Sequence, residues 1–349
     1  MTYGDPVTAA GIGAGVGAGN GVGIGVVGLE HLHVLELVDE LCAAGATVVA
    51  HTDGDSLSSA FAGWQSGSRP TDRSGVLSDP DVDLVVVAGV PADRADDSVA
   101  ALESGRPVLS DKPGVTTTDQ LERVRAAVDA SQRRWWVLFS ERFGVPAVRR
   151  AVELARSGAI GRVVGVQGSA PHRAAFESRP GWFADPARAG TLLVDLATHQ
   201  VDQFVALTGD DVRVVHAAAG NVASPGVPAV HDVAELVLVG GGARGFHRVD
   251  FLEADGFPAW GDVRLVVTGT EGRLEVRTPV TDGVAGPAEL WITDHESHRR
   301  AELPTRPTWA EELLADLGDG GERLMPREHP FTVARVVLDA EACAVPWSA

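Results

Sequence analysis

The sequence predicts an α/β protein: an N-terminal Rossmann-type doubly wound parallel sheet, then an α+β domain with a large, mainly antiparallel open sheet. Three observations carry this. Short apolar runs alternate with amphipathic stretches up to about residue 140. Within them Val82 to Val90 is an apolar run interrupted only by Asp83, of the kind found in strands buried on both faces. Beyond residue 140, strands follow one another in sequence, separated by turns such as Gly240-Gly241-Gly242 and Thr270-Glu271-Gly272.

The elements of the first half follow in order. Val22–Val27 is a strand ending at Gly28, Val34–Ala44 is an amphipathic helix stopped by Gly45, and Thr47–Ala50 is a second strand ending near Asp53. Strand, helix and strand within about thirty residues make a βαβ unit, which needs a parallel sheet. The alternation continues with helices at 56–63, 92–104 and 118–130 and strands at 82–90, 107–110 and 135–139. We expect 21–140 to form a nucleotide-binding domain and 141–329 a substrate-binding and oligomerisation domain. A last helix, 330–344, is expected to pack back on the first domain. Residues 1–20 read as a flexible Gly/Ala-rich tail.

Composition excludes several functions. The chain has 349 residues and a net charge of −19, a surface that repels phosphate backbones and anionic lipid, so no nucleic-acid partner is expected. The uncharged stretch from Pro6 to Leu29 lacks a basic flank and is rich in Gly and Ala, so no membrane anchor is expected. Cys42 and Cys343 are the only cysteines, which fits a reducing cytoplasm better than a disulfide framework. Tyr3 is the only tyrosine, so a Tyr–Lys catalytic pair cannot be built in the folded domains.

The turn after the first strand reads Gly28-Leu29-Glu30-His31-Leu32-His33. In this register only the first fingerprint glycine of a dinucleotide-binding loop survives, with Glu30 and His33 in place of the others. Two readings stand. Glu30 complements the helix N-terminus and the loop binds cofactor in a shifted geometry, or its carboxylate repels a pyrophosphate. The rest of the cofactor apparatus favours binding, through Gly28, Leu29, Glu30 and His31. Asp53, 25 residues after Gly28, is placed to accept hydrogen bonds from an adenosine ribose. No Arg or Lys lies between His51 and Phe61, so NAD is expected rather than NADP. A His31-x-His33 metal site would need partners that the sequence does not place nearby, and no metal is expected.

Of 29 basic residues all but one are arginine. The exception, Lys112, sits in Ser110-Asp111-Lys112-Pro113, after a strand and at the carboxyl edge of the sheet where ligands bind. Arginine keeps its proton at any accessible pH, whereas a lysine in a partly desolvated site can exchange one.

The run from Val82 to Val115 resembles the glucose–fructose oxidoreductase and inositol dehydrogenase family, Gfo/Idh/MocA, whose members carry a Glu/Asp-Lys-Pro turn after a strand. They also carry a Pro-ended strand one βα unit earlier, here Val90-Pro91. The resemblance implies that Val90, Pro91, Asp111 and Lys112 border the cofactor and that Lys112 touches both the nicotinamide ribose and a substrate hydroxyl. An Asn and a His common in the family are Ala92 and Ala95 here.

In the second half, Asp195, His199 and Asp202 fall at i, i+4 and i+7, on one helical face. Spacing alone also suits a solvent-facing Asp–His pair. The family carries a Gly-rich turn and a Leu ahead of Asp-x-x-x-His-x-x-Asp, and this chain matches at Gly190, Leu192 or Leu193, Asp195, His199 and Asp202. The resemblance implies that Lys112, Asp195 and His199 are the catalytic group, His199 being the acid/base. Asp202, His172, Arg173 and Trp182 are candidate substrate contacts. The expected function is hydride transfer between a nicotinamide and a hydroxyl or carbonyl carbon of a sugar, polyol or related carbohydrate, in a homodimer or homotetramer built through the open sheet. The competing expectation is a sugar- or nucleotide-responsive regulator that has lost turnover, favoured by Glu30, His33, Ala92 and Ala95.

Overall fold

The computed structural model describes residues 21–303, 305 and 307–347; the tail expected at 1–20 lies outside them. The first elements are β1 (Gly23–Val27), α1 (His33–Ala43), β2 (Thr47–Thr52), α2 (Ser58–Trp64), β3 (Arg69–Thr71) and α3 (Arg73–Ser78). Then come β4 (Leu84–Val87), α4 (Arg94–Glu103), β5 (Val108–Asp111), α5 (Thr118–Ser131) and β6 (Trp135–Leu138). All pairings are parallel and the order is β3-β2-β1-β4-β5-β6, the doubly wound arrangement. The order reverses between β1 and β4, and ligands of such sheets bind outside the carboxyl ends of the strands at this point. Every residue of β4 is wholly buried, as its unbroken apolar run requires. Thr117 caps α5 by accepting from the Gln120 amide.

The chain continues through α6 (Ser140–Phe143), α7 (Pro146–Arg156), β7 (Val163–Pro171), α8 (Pro186–Ala189), α9 (Leu192–Asp195) and α10 (Ala197–Thr208). Strands β8 (Val212–Gly220), β9 (Val233–Gly240), β10 (Ala243–Asp250), β11 (Arg264–Gly269) and β12 (Arg273–Arg277) follow. A small ribbon, β13 (Val280–Thr281) with β14 (Val284–Ala285), precedes β15 (Glu289–Thr293) and β16 (His298–Arg300). Helices α11 (Trp309–Asp319) and α12 (His329–Cys343) and strand β17 (Val345–Pro346) end the described chain. Nine strands form one open sheet in the order β16-β15-β12-β11-β7-β10-β9-β8-β17. Its pairings are antiparallel except β7 with β10 and β8 with β17.

The chain divides into two compact units: residues 21–138 with 307–331, and 139–305 with 332–347. Helix α11 groups with the first unit, whereas the sequence places 141–329 in the second domain; its capping box of Thr308 and Glu311 is local and says nothing of where it docks. Only the opening of α12 packs with the first unit, where Phe331 meets Trp135 at 5.0 Å and lies under the Arg125 guanidinium. From Thr332 onward it belongs to the second unit, in which Glu341 accepts from the Thr191 hydroxyl.

In the second unit α10 lies against β7 and β10. Along β10, Gly245, His247 and Val249 are buried while Arg244, Phe246 and Arg248 are exposed. One face of the sheet is therefore covered and the other carries half-exposed apolar side chains, Phe246 at 50% among them.

Candidate active site

The β1–α1 turn is built on Gly28. Its φ of +81° is left-handed, and a Cβ there would sit 2.4 Å from the backbone of Gly89 at the end of β4. Thr52 accepts from the Gly28 amide at 3.0 Å, and Asp55 accepts from the Leu29 amide at 2.8 Å. Helix α1 has Leu32 at its N-cap and no side-chain cap hydrogen bond. Instead the Glu30 carboxylate accepts from the Ser56 amide at 3.1 Å and the Ser56 hydroxyl at 2.7 Å. These bonds engage the carboxylate that would otherwise face a pyrophosphate. Among the described residues the Glu30 and Leu32 amides carry no hydrogen bond, which leaves two N–H donors at the start of an eleven-residue helix for an anion. Asp53 is exposed just past β2, where it accepts from the Gly54 amide at 2.9 Å and is open to a ribose. These residues fit a dinucleotide.

Three loops of this unit meet at Asp111, which is 2% exposed. His33 Nδ1 lies 3.1 Å from Oδ1, His31 Nδ1 lies 3.3 Å from Oδ2, and Arg94 Nη2 lies 2.9 Å from Oδ2. Burial alone would raise the Asp111 pKa, but the Arg94 charge, then His33 and His31, hold it well below the usual carboxylate range. Burial, reinforced by His33, keeps His31 well below the ordinary imidazole value, so it is neutral at pH 7. Lys112 follows Asp111, is 5% exposed and precedes a cis peptide to Pro113. The ligand atoms of His31, His33 and Asp111 lie within 4.8 Å of one another, so the partner that the sequence did not supply is Asp111. The buried Arg94 guanidinium already pairs with that carboxylate, and the electrostatics therefore work against an added cation. Val90 and Pro91 are buried at the end of the β4 segment, where Pro91 opens a 3₁₀ turn.

In the second unit Asp195 and His199 do not share one helix, as their spacing had suggested. Asp195 ends α9, Leu196 breaks the run, and the His199 amide bonds the Leu196 carbonyl at 3.1 Å. His199 is 3% exposed and Asp195 half-buried. Asp202 corrects another expectation: wholly buried, it accepts from Arg142 Nε at 2.7 Å and Nη2 at 2.6 Å. A bidentate pair of this kind joins α6 to α10 and leaves the carboxylate no face for a substrate. Arg173 likewise spends its Nη2 on the carbonyls of Asp255 and Phe257. His172 Nδ1 is 3.2 Å from the Ala170 carbonyl, with Nε2 4.0 Å from Glu141. Glu141 and His172 line a cavity of about 180 Å³ walled by Trp260, Val145, Pro146 and Val263. Trp182 is half-buried beside Phe183.

Lys112 thus belongs to one unit and Asp195 and His199 to the other. The sequence reading missed Arg94, Glu141 and Arg179. Arg179 stacks on Phe183 at 3.9 Å; burial pushes its pKa down to about 10, with Asp195 opposing the shift. Each lies in a predicted helix or loop where an arginine or glutamate ordinarily faces water, so no residue-type signal marked them.

Residues 21–139 match the family model described as oxidoreductase family, NAD-binding Rossmann fold, and residues 148–275 match that of the GFO/IDH/MocA C-terminal domain. The chain is 32% identical over 169 residues to an inositol 2-dehydrogenase of Acidothermus cellulolyticus, covering 48% of this chain and 47% of that one. It is 29% identical over 143 residues to a levoglucosan dehydrogenase of Pseudarthrobacter phenanthrenivorans, covering 40% and 36%. The matches thus span about half or less of these relatives' own length. A solved oxidoreductase from Erwinia carotovora atroseptica superposes with a TM-score of 0.89 at 29% identity, over 94% of this chain and 100% of that one.

Proposed function

Because the chain belongs to the Gfo/Idh/MocA family of NAD-binding oxidoreductases, we propose that it is a nicotinamide-dependent dehydrogenase or reductase. Its substrate on this reading is a sugar, polyol or related carbohydrate, reacting at a hydroxyl-bearing or carbonyl carbon. One observation carries the reading. The chain's single lysine stands at the carboxyl end of β5, next to a buried and ionised aspartate, on the sheet edge where doubly wound folds bind dinucleotides.

A bound nicotinamide dinucleotide supplies a hydride acceptor or donor. The Glu30 and Leu32 amides hold its pyrophosphate, Asp53 its adenosine ribose, and Gly28, Leu29, His31, Val90, Pro91, Asp111 and Lys112 line the rest of its path. Lys112 donates a hydrogen bond to the reacting substrate oxygen. His199 takes the hydroxyl proton in oxidation and returns it in reduction, and Asp195 orients the substrate or the imidazole. His172, Arg173 and Trp182 remain candidate substrate contacts, while the bidentate pair with Arg142 engages Asp202. The named relatives act on cyclic polyhydroxylated compounds, inositol and levoglucosan, which supports the same substrate class here. NAD is the favoured cofactor and NADP the second choice, because no cation accompanies Asp53 between residues 51 and 61. The half-exposed face of the nine-stranded sheet supports a homodimer or homotetramer, and two free cysteines fit a cytoplasmic setting. No helix among the described residues is long and apolar enough to cross a membrane.

The test is thermal shift with NAD and NADP, followed by absorbance at 340 nm over a panel of cyclic polyols and sugars. Stabilisation by NAD and turnover of a panel member support the reading. A protein that ignores both dinucleotides at millimolar concentration contradicts it.

A further inference from the structure

Arg94 is wholly buried, and its side chain reaches three separate pieces of backbone and side chain. Nε donates to the Gly89 carbonyl at 2.9 Å, just past the end of β4. Nη1 donates to the Lys112 carbonyl, and Nη2 lies 2.9 Å from the Asp111 carboxylate. Arg94 thus grips the Asp111–Lys112 pair from both sides, holding the side chain that precedes Lys112 and the carbonyl that follows its Cα. A planar guanidinium with donors on all three nitrogens can do this, whereas a single ammonium cannot span the three acceptors. The charges also balance. Buried guanidinium needs a buried anion, and Asp111, whose ionised form is favoured, supplies it.

We propose that Arg94 is the positioning residue for Lys112: it holds the Asp111 carboxylate on one side of the lysine and the Lys112 carbonyl on the other, and so sets where the ammonium points, without itself touching cofactor or substrate. The proposal rests on the reading that Lys112 is the functional lysine, but its consequence is geometric and can be observed without turnover. A hydroxyl-directed lysine on a mobile turn would sample many directions, and its hydrogen bond to a reacting oxygen would be lost for most of the time. Holding the turn by a charged side chain from the preceding βα unit ties Lys112 to the end of β4, the strand beside the crevice.

The sole lysine makes a direct experiment available. Protein labelled with ¹³C-lysine has one set of lysine ε-methylene cross-peaks, and they report Lys112 alone. In wild type the two ε protons are expected at separate, dispersed shifts. In Arg94→Gln, with folding confirmed by its melting transition, the dispersion should collapse toward the value of free lysine. The lines should also narrow as the side chain gains motion on the ps–ns scale. A merely structural arginine would lower the melting temperature of the variant and leave these peaks in place, and superimposable spectra of the two folded proteins would overturn the proposal. Should Arg94→Gln fail to fold, Asp111→Asn keeps volume and an acceptor while removing the charge partner. It should show a smaller collapse in the same direction, and unchanged lysine peaks in that variant would equally overturn the proposal. Failure here with NAD binding intact removes Arg94 from its role and leaves the proposed function standing. Loss of NAD binding by wild type strikes the function instead.

Discussion

Glu30 accepts two hydrogen bonds from Ser56, at 3.1 Å from the amide and 2.7 Å from the hydroxyl. A carboxylate that stands where a second glycine would be therefore ties the β1–α1 loop to the segment after β2, and its negative charge is engaged before any cofactor arrives. Two substitutions separate its roles. Glu30→Gln keeps an acceptor for Ser56 and removes the charge, so NAD affinity should hold or rise slightly. Glu30→Gly loses both bonds and should weaken NAD binding by roughly five-fold, the effect of about one net hydrogen bond. Calorimetric titration decides; tighter binding by Glu30→Gly would show that repulsion, not loop order, dominates.

Asp53 sets the second prediction. It is exposed past the end of β2 with no cation between residues 51 and 61. NAD should raise the melting temperature more than NADP does at equal concentration, and Asp53→Ser should weaken NAD and narrow the gap. Equal stabilisation of wild type by both dinucleotides would remove Asp53 from the ribose.

His247 carries a pH dependence. It is 4% exposed on β10, packed between Gly168, Gly245 and Phe204, and neither ring nitrogen has a hydrogen-bond partner among the described residues. Burial pushes its pKa down to about 3, so the folded protein holds it neutral while the unfolded chain protonates it near the ordinary value of about 6.5. The unfolded state binds more protons between those values. Stability from this group is complete above the unfolded value and declines as pH falls through the window, by about 2 kcal/mol at pH 5. His247→Phe should flatten the fall in urea midpoint between pH 8 and pH 5, whatever its absolute stability. An unchanged slope would contradict the assignment.

Phe246, next along β10, is 50% exposed on the uncovered face of the sheet. If that face is an interface between copies, Phe246→Glu should shift the protein toward monomer in light scattering, because it places a charge at the centre of an apolar contact. A wild type that is already monomeric would contradict the oligomer reading.

The fold was largely legible, and particular residues show why. The apolar run at 84–87 could only be a strand buried on both faces, and Gly28 could be placed in the turn because β1 needed the residues before it. Strand spacing beyond residue 140 was equally plain. What local pattern does not carry is where a distant segment docks. Helix α11 is well capped and amphipathic whichever unit it joins, and α12 divides between the units at Phe331 and Thr332. Periodicity also overran a helix break. Asp195 and His199 keep i, i+4 spacing, although Leu196 interrupts the helix between them. Charged residues were the least legible. Asp202 matched a motif position yet is consumed by Arg142, and Arg94 carried no signal of burial, because the acceptors that justify it lie at Gly89, Asp111 and Lys112.

The central claim, that the chain's one lysine serves hydride transfer to or from a carbohydrate, is tested most directly by turnover of Lys112→Arg against wild type, followed at 340 nm on the best substrate of the polyol and sugar panel. Arginine keeps the charge but cannot exchange a proton, and its fork does not fit a single hydroxyl. The account predicts a fall in kcat of about a hundred-fold or more, with NAD binding retained. A Lys112→Arg protein with wild-type kcat on that substrate would contradict it.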